Sequence, residues 1–220
     1  MLSEYKLLIF DWDGTLADSV GRIVTAMQVA ALRSRRPERD EGAVKGIIGL
    51  GLPEAILTLY PDMTEAEVVA FRQHYADVYI LMDAEPSPLF PGVADSLEAL
   101  RADGYRLAVA TGKARRGLDR VLKSHGWECF FDVTRAADET ASKPDPLMLN
   151  QILGHCDVSS RQALMVGDAS FDLLMARNAG IDSVAVSYGA QPIERLLTFE
   201  PRLAIDSFPE LRAWLSRQVN

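Results

Sequence analysis

Four consecutive apolar residues, Leu7-Leu8-Ile9-Phe10, stop abruptly at Asp11-Trp12-Asp13-Gly14-Thr15. A run this short, bounded by turn residues, predicts a strand buried on both faces rather than an amphipathic helix. Asp11 stands at its carboxyl end, and alternation along an extended chain lets Asp11 and Asp13 face one way while Trp12 faces the other. From about Leu16 to about Ser87 the period changes. Ile23, Met27, Ala30 and Ala31 recur at helical spacing, and Val44, Ile47 and Ile48 lead into a break at Gly49-Leu50-Gly51-Leu52. Thr64, with Glu67 three residues later, predicts a capped helix carrying Val68, Phe71, Tyr75, Val78 and Tyr79. This block reads as a small helical bundle with no strand.

After Pro88-Leu89-Phe90-Pro91-Gly92 the pattern alternates. A helix is predicted over 93–100 with Pro91 in its first turn and Gly104 beyond its end. Strands are predicted at 105–111, 130–133, 163–166 and 183–186, separated by helices at 114–124, 146–153 and 171–179, with a last helix at 208–216. Alternation of this kind implies right-handed crossovers, a parallel sheet and helices on both faces. The expected fold is α/β: a doubly wound parallel-sheet (Rossmann-like) core with a small α-helical cap inserted after the first strand. Residues 1–15 and 87–220 are assigned to the core and 16–86 to the cap.

Composition narrows the function without naming it. Of 220 residues, 48% are hydrophobic and 25% charged, ordinary for a globular chain. A net charge of -8 with no long basic stripe argues against a nucleic-acid partner. Arg33, Arg35, Arg36 and Arg39 cluster, but among Glu38, Asp40 and Glu41, and read as a solvated helix end and loop. Two cysteines, Cys129 and Cys156, suggest neither a disulfide scaffold nor a four-ligand zinc site. No apolar run is long enough to span a bilayer, and no secretory signal is visible, so a cytoplasmic location with no membrane partner is expected. No obligate protein partner is evident. His74, His125 and His155 show no partner spacing.

The chemistry gathers where a doubly wound sheet places its ligands, beyond the carboxyl ends of strands. The first strand ends on Asp11 and Asp13, the second on Thr111-Gly112-Lys113, and another on Gly167-Asp168 with Asp172 four residues later. Ser142-Lys143-Pro144-Asp145 lies between the last two, its lysine held extended by the following proline. Singly, these are turn acids, helix caps and a surface lysine. Together and in this order they suit attack on phosphorus assisted by Mg²⁺, a hard ion that takes carboxylates, water and phosphate oxygens. Thr111 and the Gly112 amide can bind phosphoryl oxygens, and Lys143 supplies a compact positive charge.

In order, the segments Asp11-Trp12-Asp13-Gly14-Thr15, Thr111-Gly112, Lys143-Pro144 and Gly167-Asp168-Ala169-Ser170-Phe171-Asp172 resemble the signature of the haloacid dehalogenase superfamily. The helical insert resembles the cap of its phosphoglycolate-phosphatase-like branch. The resemblance implies that Asp11 is a nucleophile forming an aspartyl-phosphate, and that Asp13 protonates the leaving group and then activates water. It implies that Asp11, the Asp13 backbone carbonyl and Asp168 hold Mg²⁺, supported by Asp172. Thr111, Gly112 and Lys143 would then bind the phosphoryl group. Dehalogenases and phosphonoacetaldehyde hydrolases lack the second carboxylate, so Asp13 points to a phosphatase for a small phosphate ester, phosphoglycolate-like or a sugar phosphate. A phosphomutase of the β-phosphoglucomutase type and a phospho-aspartate switch are the alternatives. Gly49-Leu50-Gly51-Leu52, with Lys45 as the only lysine of the insert, reads either as a substrate-reading loop or as an interhelical turn beside a surface lysine. Arg115 and Arg116 read likewise as contacts for a second anionic group or as solvated helix charges.

Overall fold

A computed structural model describes residues 5–82 and 86–218. The expected core begins at residue 1 and the expected cap ends at 86, so parts of both assignments lie outside the described residues. Strand β1, Leu7–Phe10, runs at the centre of a six-stranded sheet. Its companions are β2 Arg106–Thr111, β3 Val133–Ala136, β4 Ala163–Gly167, β5 Asp182–Val186 and β6 Leu203–Ile205. The order is β3-β2-β1-β4-β5-β6 and every pairing is parallel. Strand order therefore reverses at β1, where the crevice of a doubly wound sheet opens.

Period-two alternation divides the core. Leu8 and Phe10 join Leu107, Val109, Leu164 and Val166 against α5 (Val93–Ala102), α6 (Arg115–Ser124) and α10 (Pro209–Arg217). Leu7 and Ile9, with Ala108, Ala110 and Met165, face α7 (Leu147–Cys156) and α8 (Ser170–Asn178). Leu173 of α8 and Ala185 of β5 also pack on Leu196 of α9 (Ile193–Leu197). Because both faces of β1 are covered, all four of its residues are apolar and buried.

Between β1 and α5 run α1 (Val20–Arg33), α2 (Glu41–Lys45), α3 (Leu52–Leu59) and α4 (Glu65–Met82). They share their own apolar cluster, with Met27 of α1, Val44 of α2, Ile56 of α3 and Phe71 of α4 buried together. The expected cap on α4 is present: the Thr64 N–H donates to Glu67 Oε2 at 2.8 Å. The two connections to the sheet lie side by side, with the Asp18 N–H donating to the Pro88 carbonyl (2.8 Å) and the Phe90 N–H to the Leu16 carbonyl (3.0 Å). Among the described residues, no helix is long and apolar enough to cross a membrane.

Four expectations shift. The strand placed at 130–133 is Val133–Ala136 instead, because Phe130 and Phe131 leave the sheet to pack on Trp127, with ring centroids 5.1 and 5.9 Å away. The aromatic pair mimicked a strand while serving a side cluster. Pro91 stays outside α5: Gly92 adopts a left-handed φ of 76° as the N-cap, and the helix begins at Val93. Helix α9 and strand β6, unexpected from sequence, are five and three residues long, too short for periodicity to declare. The arginine cluster is also less solvated than expected, since Arg36 bridges Asp62 and Glu67 while Arg39 donates to the Leu59 carbonyl.

Phe10 is fully buried with its ring centroid 5.7 Å from that of Phe208. Phe10→Ala is expected to cost about 3–5 kcal/mol of stability. Urea denaturation would check it, and a loss below ~1 kcal/mol would show that α10 does not brace this strand.

Candidate active site

The site is built by the ends of β1, β2 and β4 and the loops that follow them. Asp11 closes β1, its N–H donating to the Val166 carbonyl of β4 at 3.0 Å. Gly14 turns the chain at a φ of +81°, and any side chain there would collide with the Asp168 carboxylate. This glycine therefore lets the first loop close over the fourth strand. Trp12 points into the opposite apolar cluster with Trp127, as alternation requires.

Asp11, Asp168 and Asp172 are buried, and their carboxylate oxygens lie within 4.8 Å of one another. The buried Lys143 sits among them, its ammonium 2.7 Å from Asp11 Oδ1 and 2.6 Å from Asp172 Oδ1. The Lys143–Pro144 peptide is cis. Burial works against the lysine's charge, but Asp11 and Asp172 outweigh it and hold its pKa above the usual range. For Asp11, burial pushes the carboxyl up to about 7; Lys143 opposes this and Asp172 adds to it. Burial and then the charges of Asp11 and Asp172 hold Asp168 well above the carboxylate range. Asp168 is fixed by the Ala190 N–H (2.6 Å) and the Thr15 hydroxyl (3.2 Å), and Asp172 Oδ2 by the Ala169 N–H (3.1 Å).

One ammonium meets two of the three carboxylates, and Asp11 Oδ2 is buried with no hydrogen-bond partner. An excess of hard anionic oxygen with one atom unsatisfied is what a small divalent cation would complete, so these residues fit Mg²⁺.

The Asp13 carboxylate is not part of that trio. Lys113 grips both its oxygens, at 2.8 and 3.0 Å, and the Ser19 hydroxyl donates to Oδ1 at 2.6 Å. The Lys113 ammonium also lies 3.3 Å from the Tyr79 hydroxyl and 4.9 Å from that ring's centroid. Lys113 and Ser19 were missed as site residues. The signal for Lys113 was present, because a lysine just before the N-terminus of α6 opposes the helix dipole and so implies another partner.

Thr111 is buried, its hydroxyl accepting from the Lys113 N–H at 3.2 Å. Gly112 is where insert and sheet touch, since a side chain there would strike the carbonyls of Gly49 and Leu50. The Gly51 N–H donates to the Ser142 hydroxyl at 2.8 Å, a second tie from the same loop. The Gly49–Leu52 loop thus reaches the site. Lys45 does not: it pairs with Glu41 one turn back on α2, at 2.7 Å. Arg115 is engaged by Asp119 and Glu139, while Arg116 is exposed beside the cavity. That cavity, about 470 Å³, opens between the insert and the sheet with Asp11 and Asp13 in its lining.

Fold and site together define a doubly wound α/β protein with its buried acidic cluster at the switch point of the sheet. The chain belongs to the haloacid dehalogenase-like hydrolase family, whose model matches residues 8–186. It is 36% identical to a probable phosphatase, IndB, of Dickeya dadantii over 93% of this chain and 91% of that one. To a phosphoglycolate phosphatase of Vibrio cholerae it is 33% identical over 96% of both chains. The crystal structure of a predicted phosphoglycolate phosphatase from Haemophilus somnus superposes with a TM-score of 0.82 at 28% identity, covering 97% of this chain and 99% of the other.

Neutralising Asp11 removes the cost of burying its charge and, with it, the repulsion from Asp172. Metal-free Asp11→Asn is expected to melt above the parent chain at pH 8, by at least the ~2–4 °C that 1 kcal/mol gives in a chain this size. The parent's Asp11 is protonated below its ordinary value of 3.8 and charged above about 7, so the gap should close as pH falls from 7 toward 4. Calorimetric melting scans would show this, and equal melting at pH 8 would mean the carboxylates are not in conflict.

Proposed function

We propose that the chain is a Mg²⁺-dependent phosphatase that hydrolyses a small phosphomonoester through a phosphorylated Asp11. One observation carries the reading: Lys143 pins Asp11 Oδ1 while Oδ2 stays without a partner, and Asp11 lines the cavity. A carboxylate fixed in this way beside a cavity is placed to act as a nucleophile.

A carboxylate oxygen of Asp11 attacks phosphorus, forming the aspartyl–phosphate bond as the bond to the substrate's alcohol oxygen breaks. Asp13 gives that oxygen its proton and, now a carboxylate, takes a proton from water. The water oxygen attacks phosphorus, the Asp11–phosphate bond breaks, and inorganic phosphate leaves. Lys113 and Ser19 hold the Asp13 side chain so that its position is set before substrate arrives. The Thr111 hydroxyl and Gly112 N–H donate to phosphoryl oxygens, and Lys143 offsets the charge that builds there. Mg²⁺, held by Asp11, Asp168 and the Asp13 backbone carbonyl with Asp172 in support, would neutralise the phosphate dianion and ease approach of the anionic nucleophile.

Residues 16–86 act in this reading as a lid that excludes water from the phosphorylated Asp11. The paired connections at Leu16–Asp18 and Pro88–Phe90 suit a hinge, and the Gly112 contact suits a closing surface. The similarity to proteins named phosphoglycolate phosphatase supports a small soluble substrate. The free thiols Cys129 and Cys156 suit the reducing cytoplasm.

Asp11→Asn should lower phosphate release from an aryl phosphate with Mg²⁺ by about 10⁴-fold or more, and Asp13→Asn by about 10²–10⁴-fold. Full turnover by Asp11→Asn would end the proposal. Phosphate passed to a sugar, or a phosphorylated Asp11 that never turns over, would redirect it to a mutase or a switch. Lys113→Met should lower kcat more than it raises KM, because it unseats Asp13 without touching the metal cluster; a change in KM alone would place Lys113 in substrate binding instead.

A further inference from the structure

The cavity over Asp11 and Asp13, at about 470 Å³, falls in the range of clefts that enclose drug-sized ligands. A phosphate ester of a two-carbon acid would leave most of it unfilled. Its wall on the insert side carries Ile23 and Met27 from α1, Ile48 and Leu50 from the loop after α2, and Tyr75 and Tyr79 from α4. Ile23, Met27, Ile48 and Tyr79 are buried, so little of this wall meets open solvent. The two tyrosine rings stack, centroids 5.7 Å apart at 28°, and offer an aromatic surface within the same cavity as the acids.

The cations near this wall are poorly placed for a second anion. Lys45 is turned to Glu41 and Lys113 to Asp13. Arg72, Arg116 and Arg120 border the cavity, but Glu54 and Asp138 border it with them, and Arg72 and Arg116 are exposed. The inner wall is apolar and lines the same cavity as Asp11 and Asp13, so the alcohol portion of a phosphate ester can cover it while the phosphate meets the acids.

We propose, resting on the phosphatase reading above, that the preferred substrate is a phosphomonoester of a bulky apolar or aromatic alcohol, seated against α1, α4 and the Gly49–Leu52 loop. Such a group gains affinity by leaving water for Met27, Ile48 and the tyrosine pair, which a short polar acid cannot do.

Turnover of ethyl phosphate, 2-phenylethyl phosphate and phosphoglycolate with Mg²⁺ tests this, since the two alkyl alcohols leave with similar ease. The expected kcat/KM for the phenylethyl ester is about tenfold or more above each of the others, carried mainly by KM. In parallel, calorimetry compares binding of 3-phenylpropylphosphonate and propylphosphonate, which the enzyme cannot hydrolyse as esters. The aryl compound should bind about tenfold or more tightly. Ala76→Phe, which fills the cavity from α4, should bring both ratios close to unity in a protein whose melting is otherwise normal. Equal or weaker handling of the aryl compounds by the parent chain would overturn the proposal even if phosphate release is intact. Tighter aryl binding with no turnover of any ester would uphold the apolar seat and overturn the phosphatase reading.

Discussion

Lys143 is the contact on which the site depends. Three carboxylates buried together repel one another and lose their hydration, a combination that a folded chain rarely tolerates. Lys143, itself without solvent contact, lies within 2.7 Å of two of them and offsets part of that cost. Backbone amides take up more, Ala190 for Asp168 and Ala169 for Asp172. What remains is an excess of negative charge and one unpartnered oxygen on Asp11, the residue at the end of the central strand. The fold thus holds a local conflict that a bound cation or a proton can relieve, and the proposed phosphate chemistry builds on it.

The sheet keeps such a cluster rigid. β1 is apolar on both faces and hydrogen-bonded to a strand on each side, so Asp11 has little freedom before its side chain begins. The loops from β1 and β4 interlock through Gly14, which leaves room for Asp168, while β2 delivers Thr111 and Gly112 from the other side. Among the contacts that the insert makes with this frame are the Gly49 and Leu50 carbonyls on Gly112, Gly51 on Ser142, Ala190 in the apolar cluster of α1 and α4, Tyr79 beside Lys113, and Ser19 on Asp13. Two of these touch the Asp13 side chain or its lysine, so the position of the insert and the setting of Asp13 are linked.

Legibility followed the length and strength of each pattern. β1 was readable because a short apolar run ending on paired acids suits a buried strand and little else, and α1 and α4 because their apolar faces repeat over several turns, whereas α2 and α3 were legible only as short helices on either side of the Gly49–Leu52 break. Phe130 and Phe131 misled because an aromatic pair satisfies strand propensity and side-cluster packing equally well, and only the position of Trp127 separates the two. Lys45 was drawn toward the site for being alone in the insert, yet Glu41 one turn away offers a nearer partner. Lys113 stood beside a recognised pair and was passed over, because nothing local reveals an acid a hundred positions earlier.

By itself, the sequence determined the class of fold, the buried first strand and the residue types delivered to the strand ends, since these depend on local periodicity and on order along the chain. Tertiary structure alone decided that Lys143 would meet Asp11 and Asp172, that Lys113 would hold Asp13, and that an apolar wall would face the acids across a cavity. The physical reason is range. Propensity and alternation act between near neighbours, whereas electrostatic pairing and cavity shape depend on distances set by the packing of segments far apart in the chain.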